Sequence, residues 1–477
     1  MNKPLKIAVF HCGFAYSGGG ERLVLEEVLG LRRLGHEVVC YAPTLDRQAC
    51  FPDLVAQVGV RTFLPQLPKG FPLRDAFSMV ASSVLAPALA LRFRRVDVFV
   101  GANQPGAWIA FCMAKVLGKP YVIYLNQPNR LIYPRPIDKE TGWLTKPDFR
   151  VLDVIIKRTK RFVGWADKVS TREARIALAN GGYIAGVIEE IYERDMLLCP
   201  AGCHPQSARL LRLTPESAFE GAFKLGEQVI EKPFVLITNR HEPQKKFEYV
   251  IEAMASIKPL IPGAMLVIPG PFTTHTPKLM ELARALGTED RVLFLGQISE
   301  ADLQRLYREA AVYCYPAPEE DFGMGVIEAM AWGVPVVAWN HAGPTVTVVD
   351  GLTGYLAEPY RVGAYASSIA WLLQDPDLRS RMGQAGRERA ERYFSWDRHV
   401  RTLERAVRAA VGEPVETRIP VEAPVFPVMG TGPLASRGGQ VSVAGLAEVK
   451  TGLWGVDARR LPAAEFVEVE TGPLAAK

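Results

Sequence analysis

Two glutamates, Glu320 and Glu328, are separated by seven positions, and Phe322-Gly323-Met324-Gly325 lies between them. The segment joins an apolar run ending in prolines, Val312 to Pro318, to a helix-like run, Val326 to Trp332. A glycine turn that feeds a helix leaves backbone N–H groups free and presents the positive end of the helix dipole, which suits a phosphate. A carboxylate in the first helical turn would reach hydroxyls of whatever carries that phosphate. The alternative reading is a solvated acidic loop and a glutamate that only complements the dipole. Other groups able to meet an anionic, hydroxyl-rich ligand sit elsewhere: Gly18-Gly19-Gly20, Asn126 with Arg130, and Arg240 with Lys246.

The elements around these residues decide between the readings. Lys6 to Gly13 is a strand-like run, followed by the glycines, a helical pattern from Leu23 to Leu34, and a strand from Glu37 to Ala42. This is a βαβ unit. Its glycine spacing is not G-x-G-x-x-G and no acidic residue ends the second strand, so the dinucleotide fingerprint is absent. Further strands are expected at Val96 to Val100, Tyr121 to Leu125, Lys168 to Ser170 and Leu197 to Pro200. Asn126 and Arg130 then fall just past a strand, at the carboxyl end where open α/β sheets bind ligands.

After Arg209 the alternation pauses through a polar, helix-like passage and restarts at Pro233 to Thr238. Strands at Met265 to Ile268, Val292 to Leu295, Val312 to Tyr315, Val334 to Trp339 and Gly354 to Leu356 alternate with helical runs. Two such series predict two doubly wound, Rossmann-like parallel-sheet α/β domains facing a central cleft. The expected boundaries are 1–205, 206–395, a C-terminal helix at 396–412, and an extended or disordered tail at 413–477 in which Thr-Gly-Pro-Leu-Ala occurs twice. Asp375-Pro376-Asp377 has the spacing of a metal-holding Asp-x-Asp, but its place between two helical runs makes it a helix stop and cap.

Composition excludes more than it identifies. A net charge of +5 makes no demand for nucleic acid. Seven scattered cysteines argue for reduced thiols rather than a disulfide framework, with Cys12, Cys40, Cys112 and Cys314 in or beside expected strands. Cys199, Cys203 and His204 form the one local metal-like group, at a spacing unlike a zinc site, so no metal is expected. No signal peptide is recognisable at the start. Phe77 to Leu91 comes nearest to a membrane span but holds serines and Pro87, so a soluble or peripheral protein is expected.

Taken together, these motifs resemble retaining glycosyltransferases of the GT-B fold, family 4. The resemblance covers about residues 5–410 and rests on Gly-Gly-Gly-Glu-Arg after the first strand, Arg240 with Lys246, and the Glu320 to Glu328 segment. Ala329 to Val336, Gly343-Pro344 and Asp350 to Gly354 complete it. The opening of the chain is most similar to mannosyltransferases that extend lipid-linked oligosaccharides. The resemblance implies transfer of a hexose, with mannose first choice, from a nucleotide diphosphate sugar to a hydroxyl of a glycan or lipid-linked acceptor, with retention. The donor is a co-substrate, and neither a further cofactor nor an obligate metal is implied.

By the same resemblance, Arg240 and Lys246 clamp the diphosphate, Glu320 faces the transferred sugar and Glu328 holds the ribose. Phe322, Gly323, Met324 and Gly325 supply backbone donors, and Gly18, Gly19 and Gly20 close on the diphosphate. Asn126 stands where relatives carry a histidine, and with Arg130 it is expected to meet sugar or acceptor. Gly343-Pro344-Thr345-Val346 departs from the family's Gly-Pro-x-Glu, which leaves the donor preference open. The implied setting is cytoplasmic and peripheral on the inner face of a membrane; Lys157, Arg158, Lys160 and Arg161, in an apolar helical stretch, read either as a solvated helix face or as a docking site for anionic lipid. A GT-B epimerase, a phosphorylase or a catalytically silent sugar-nucleotide binder shares much of this pattern.

Overall fold

The structure is a computed structural model that describes residues 3–68, 70–142, 147–204 and 221–413. The polar passage after Arg209 falls outside these up to residue 220, as does the tail from residue 414 onward. Two parallel sheets organise the described chain. The first has seven strands: β1 (Lys6–His11), β2 (Glu37–Ala42), β3 (Arg61–Thr62), β4 (Val98–Ala102), β5 (Tyr121–Leu125), β6 (Ile176–Ala179) and β7 (Leu197–Leu198). Their order across the sheet is 3-2-1-4-5-6-7. A short antiparallel hairpin, β8 (Ala222–Leu225) and β9 (Gln228–Glu231), precedes the second sheet.

That second sheet holds β10 (Phe234–Leu236), β11 (Met265–Pro269), β12 (Val292–Gly296), β13 (Val312–Tyr315), β14 (Val336–Trp339) and β15 (Gly354–Ala357). Its order is 12-11-10-13-14-15. In both sheets the central strands are buried on both faces, as a parallel sheet sandwiched by helices requires, and they read as unbroken apolar runs such as Val98-Phe99-Val100 and Val336-Val337.

Each order reverses direction once, between β1 and β4 and between β10 and β13. Outside the carboxyl ends at such a switch point a crevice opens, because the flanking connections run to opposite faces. The chain past β1 carries the three glycines, and the chain past β4 carries Asn103. Beyond β10 lies Arg240, and beyond β13 lies the Glu319 to Glu328 segment. The helix Trp396–Ala410 returns to the first domain, packing on the helix Gly19–Arg33 and under β4, β5 and β6. His399 there meets Glu27 at 3.1 Å, both fully buried.

Several expectations need correction. Lys168 to Ser170 is not a strand; it is the end of the helix Pro147–Arg172, and the strand follows at Ile176–Ala179. Val169 had suggested a β run, but the helical phase set upstream continues through it. Cys112 lies in the helix Gly106–Leu117, not in a strand. All seven cysteines are free thiols. The Cys199 sulfur lies 3.4 Å from His399 Nδ1, and the Cys203 thiol donates to the Phe394 carbonyl. Asp375 caps its helix by accepting from the Leu378 N–H, with Pro376 at the first helical position.

Candidate active site

The first domain presents small and neutral groups at its switch point. Gly18 is extended and caps the helix Gly19–Arg33, so Gly19 and Gly20 form its first turn, earlier than the Leu23 start expected from sequence. A Cβ on Gly19 would stand 3.0 Å from Met324 Cγ of the other domain, and one on Gly20 would stand 3.2 Å from Asn126 Nδ2. A side chain at either position would press on Met324 or Asn126, which would have to give by a few tenths of an ångström. The Asn126 backbone N–H donates to Asn103 Oδ1 at 2.9 Å. Asn126 Oδ1 is buried, with no hydrogen-bond partner among the described residues. A buried acceptor of that kind is complete only when something else donates to it.

Charged groups dominate the second domain's edge. Gly323 takes φ of 89° and caps the helix Met324–Ala331. This left-handed turn aims the first N–H groups of the helix toward the loop. Because the helix begins at Met324, Glu328 lies in its second turn and not, as expected, in the first. Its carboxylate accepts from Tyr307 Oη at 3.0 Å and meets Arg22 of the first domain at 3.5 Å. Burial raises the Glu328 pKa, and Arg22 opposes that rise. A cavity of about 240 Å³ opens beside it, lined by Arg22, Glu300, Gln304, Glu328, Trp332 and Trp396.

Glu320 is set differently. Lys245 Nζ donates to it at 2.6 Å. Burial pushes this carboxyl up, but Lys245 and Arg135 more than reverse that, and it settles at about 2. It is therefore a fixed anion at neutral pH and a poor proton acceptor. Its neighbour Asp321 is raised to about 6 by burial, against the pull of Arg130 and Arg135.

The cations occupy unequal positions. The Arg240 guanidinium lies 4.6 Å from the centre of the Tyr16 ring, across the domain boundary. Lys246 has a left-handed backbone, with φ of 50°, and its ammonium donates to Glu140 of the first domain at 2.8 Å. Glu319 is also left-handed, with φ of 53°. Strained non-glycine residues at two points around one cleft are the pattern expected where geometry serves a ligand. Arg130 pairs with Asp321, Arg135 donates to the Glu319 carbonyl at 3.0 Å, and the Ile137 N–H donates to Glu319 Oε2 at 3.0 Å. The acidic segment is thus strapped to the first domain by residues 130–137.

Comparison with known proteins agrees with this architecture. Residues 17–177 match the family model "Glycosyltransferase Family 4", and residues 224–389 match "Glycosyl transferases group 1". The chain is a glycosyltransferase. Among its relatives, the alpha-1,3/1,6-mannosyltransferase ALG2 of Dictyostelium discoideum is 27% identical over 445 residues, spanning 85% of this chain and 98% of that one. Human ALG2 is 26% identical, over 82% of this chain and 92% of the other. The solved structure of a Rickettsia africae glycosyltransferase superposes with a TM-score of 0.62 at 17% identity, over 87% of this chain and all of the other. Anabaena HepE in complex with UDP gives 0.64 at 17% identity, over 85% and 100%. These likenesses establish the GT-B fold.

Of the residues named from sequence in this glycosyltransferase, Glu320, Glu328, Arg240, Lys246 and the glycines stand at the cleft edges. Lys245, Arg135 and Tyr307 are not singled out from sequence, and Arg22 only as part of Gly-Gly-Gly-Glu-Arg. Lys245 adjoins a named residue, and the Lys245-Lys246 pair was itself a visible signal. Arg135 and Tyr307 carry no local mark in the sequence, and the pairing of Arg22 with Glu328 joins residues of different domains. Val346 lies in the short helix Pro344–Thr347, where its carbonyl accepts from Arg389 at 2.7 Å.

Proposed function

We propose that this glycosyltransferase moves mannose from GDP-mannose to a hydroxyl of a glycan or lipid-linked acceptor, with retention of configuration, at the cytoplasmic face of a membrane. The observation that carries the reading is the convergence of Arg240, Lys245, Lys246 and the Met324 helix end on one cleft edge, facing Gly19 and Gly20. The diphosphate fits there. Arg240 and Lys246 neutralise it and stabilise the charge that grows on the leaving phosphate, so the scheme calls for no obligate metal. Glu328 receives ribose hydroxyls, and the nucleoside lies along the cavity beside it. The second domain, 206–395 with the helix 396–412 lying back on the first, holds the donor, and the first, 1–205, holds the acceptor.

Residue chemistry favours a front-face reaction. The acceptor oxygen bonds to the anomeric carbon as the bond from that carbon to the phosphate oxygen breaks. The acceptor proton passes to the departing phosphate oxygen. The nearby candidates suit a general base poorly: the Asn126 amide is not basic, Glu320 is held at about 2, and Asp321 is tied up in ion pairs with Arg130 and Arg135. Glu320 instead orients the sugar as a fixed anion, while Asn126 Oδ1 accepts from a sugar or acceptor hydroxyl. The mannosyltransferase names of the ALG2 relatives support the choice of sugar.

The test is transfer by the full chain from GDP-mannose, with UDP-glucose as comparator, to a lipid-linked mannoside. Product configuration is read by NMR. An α-linked mannoside formed with release of GDP is expected. A β-linked product, or consumption of UDP-glucose alone, would overturn the reading.

A further inference from the structure

The helix Arg74–Leu89 and the turn Ala90–Phe93 that extends it are amphipathic in reverse. Ser78, Ser82 and Ala86, spaced four apart, are buried, whereas Phe77, Val80, Val84 and Leu91 form a stripe at helical spacing on the outside. Phe77 is 56% exposed, Val84 70% and Leu91 69%. Ser82 Oγ is buried with no hydrogen-bond partner among the described residues. A helix that only covered a core would put its large apolar groups inward and its serines outward. The segment is also long and apolar enough to cross a membrane, yet its serine side packs on the helix Gly106–Leu117 of the first domain.

That neighbour extends the surface. Trp108 donates from its indole nitrogen to the Ser83 carbonyl at 3.0 Å, and its ring meets the Trp165 ring edge-on at 6.2 Å. Trp165 and Phe162, on the helix Pro147–Arg172, are themselves mostly exposed. One apolar sheath therefore runs from Phe77 and Val84, past Trp108, to Phe162 and Trp165. Exposed cations border it at two places: Arg92, Arg94 and Arg95 at one end, and Arg158, Lys160 and Arg161 beside the aromatic pair. Of the four basic residues singled out from sequence, only Lys157 has a side chain outside the described set.

We propose that this three-helix face of the first domain docks flat on an anionic lipid bilayer. Phe77, Val80, Val84, Leu91, Phe162 and Trp165 enter the headgroup boundary, and the bordering arginines and lysine meet acidic headgroups. Apolar and amphipathic aromatic side chains edged with cations are what an interface-lying surface presents. A protein partner would leave the flanking positive charge without a stated counterpart, whereas an anionic leaflet supplies one along the whole border. The proposal deepens the reading above, since a lipid-linked acceptor must be met at a bilayer surface.

Flotation of the full chain with vesicles tests this without donor or acceptor, so its outcome is separate from that of the transfer assay. Vesicles of phosphatidylcholine containing about one third phosphatidylglycerol should bind the protein, and phosphatidylcholine alone should bind it far more weakly. The exposed-site double variant Phe77→Glu/Val84→Glu should bind the anionic vesicles at least roughly tenfold more weakly, with an unchanged melting temperature. Reversal of the three cations, Arg158→Glu/Lys160→Glu/Arg161→Glu, should cost on the order of a hundredfold. Wild-type protein that ignores anionic vesicles, or variants that bind as the wild type does, would overturn the proposal. So would a lipid-free dimer that Val84→Glu converts to monomer, since a second copy would then be the occupant.

Discussion

At the switch point of the first sheet Gly19, Gly20, Asn103 and Asn126 are small or neutral, and that domain's charged groups, Arg22, Arg130 and Glu140, instead pair with the second domain. At the matching edge of the second sheet the residues are charged: Arg240, Lys245, Lys246 and Glu320. Both edges come from the same kind of strand order, so the contrast is one of side chains and not of fold. A diphosphate is a constant feature of every donor, and fixed cations recognise it through charge. Sugar and acceptor hydroxyls vary in number and direction, and they are better met by amides and by a backbone with room around it. The loop from Arg130 to Ile137 crosses from the neutral edge and grips the charged one.

Four measurements on three variants would break or sharpen that division, the largest effect first. Replacing Glu320 by Gln removes the fixed anion at the sugar while keeping the shape. Steady-state rates with GDP-mannose should fall roughly a hundredfold or more in kcat, with a smaller change in donor KM. Replacing Gly20 by Val fills the gap to Asn126 Nδ2. Turnover should drop roughly tenfold or more, and acceptor KM should rise more than donor KM, because the obstruction is on the neutral edge.

Stability against pH separates the edges in another way. Burial raises the Glu320 carboxyl, but Lys245 and Arg135 prevail and hold it at about 2, below its unfolded value of about 4.3. Such a group stabilises the fold fully above the unfolded value, and the contribution fades as pH falls toward 2. Thermal melts of wild type and Glu320→Gln should therefore differ most near neutral pH and converge in strong acid. The smallest effect is expected for Glu140→Ala. Glu140 is half exposed and holds Lys246 from the other domain at 2.8 Å. Freeing that lysine should tighten donor binding by no more than about fivefold in a calorimetric titration, since exposed ion pairs contribute only ~0.2–1 kcal/mol.

The charged edge was also the more legible one in the sequence. Glu320, Gly323, Met324 and Glu328 lie within a few residues of one another, so their spacing carries the turn and the helix together. The neutral edge is assembled from segments after β1, β4 and β5, and of its residues the glycines and Asn126 announce themselves while Asn103 does not. Arg130 reads from sequence as a ligand contact because it follows a strand end. Its pairing with Asp321 spans 191 positions and depends on how the two domains meet. Lys168 to Ser170 misled because a β-branched residue near the end of a long helix resembles a short strand. The hairpin β8–β9 was missed although Gly226-Glu227 between Phe223-x-Leu225 and Val229 is a turn signal. The reversed helix Arg74–Leu89 could not be oriented from sequence, because periodicity shows that a stripe exists but not which way it faces.

Affinity for GDP-mannose, measured by calorimetry on the wild type and on Lys246→Ala, tests the charged edge most directly. A charge-assisted contact to phosphate is worth about 1.5–3 kcal/mol, so the variant should bind at least roughly tenfold more weakly. Equal affinity in the two proteins would contradict the assignment of the diphosphate to this edge.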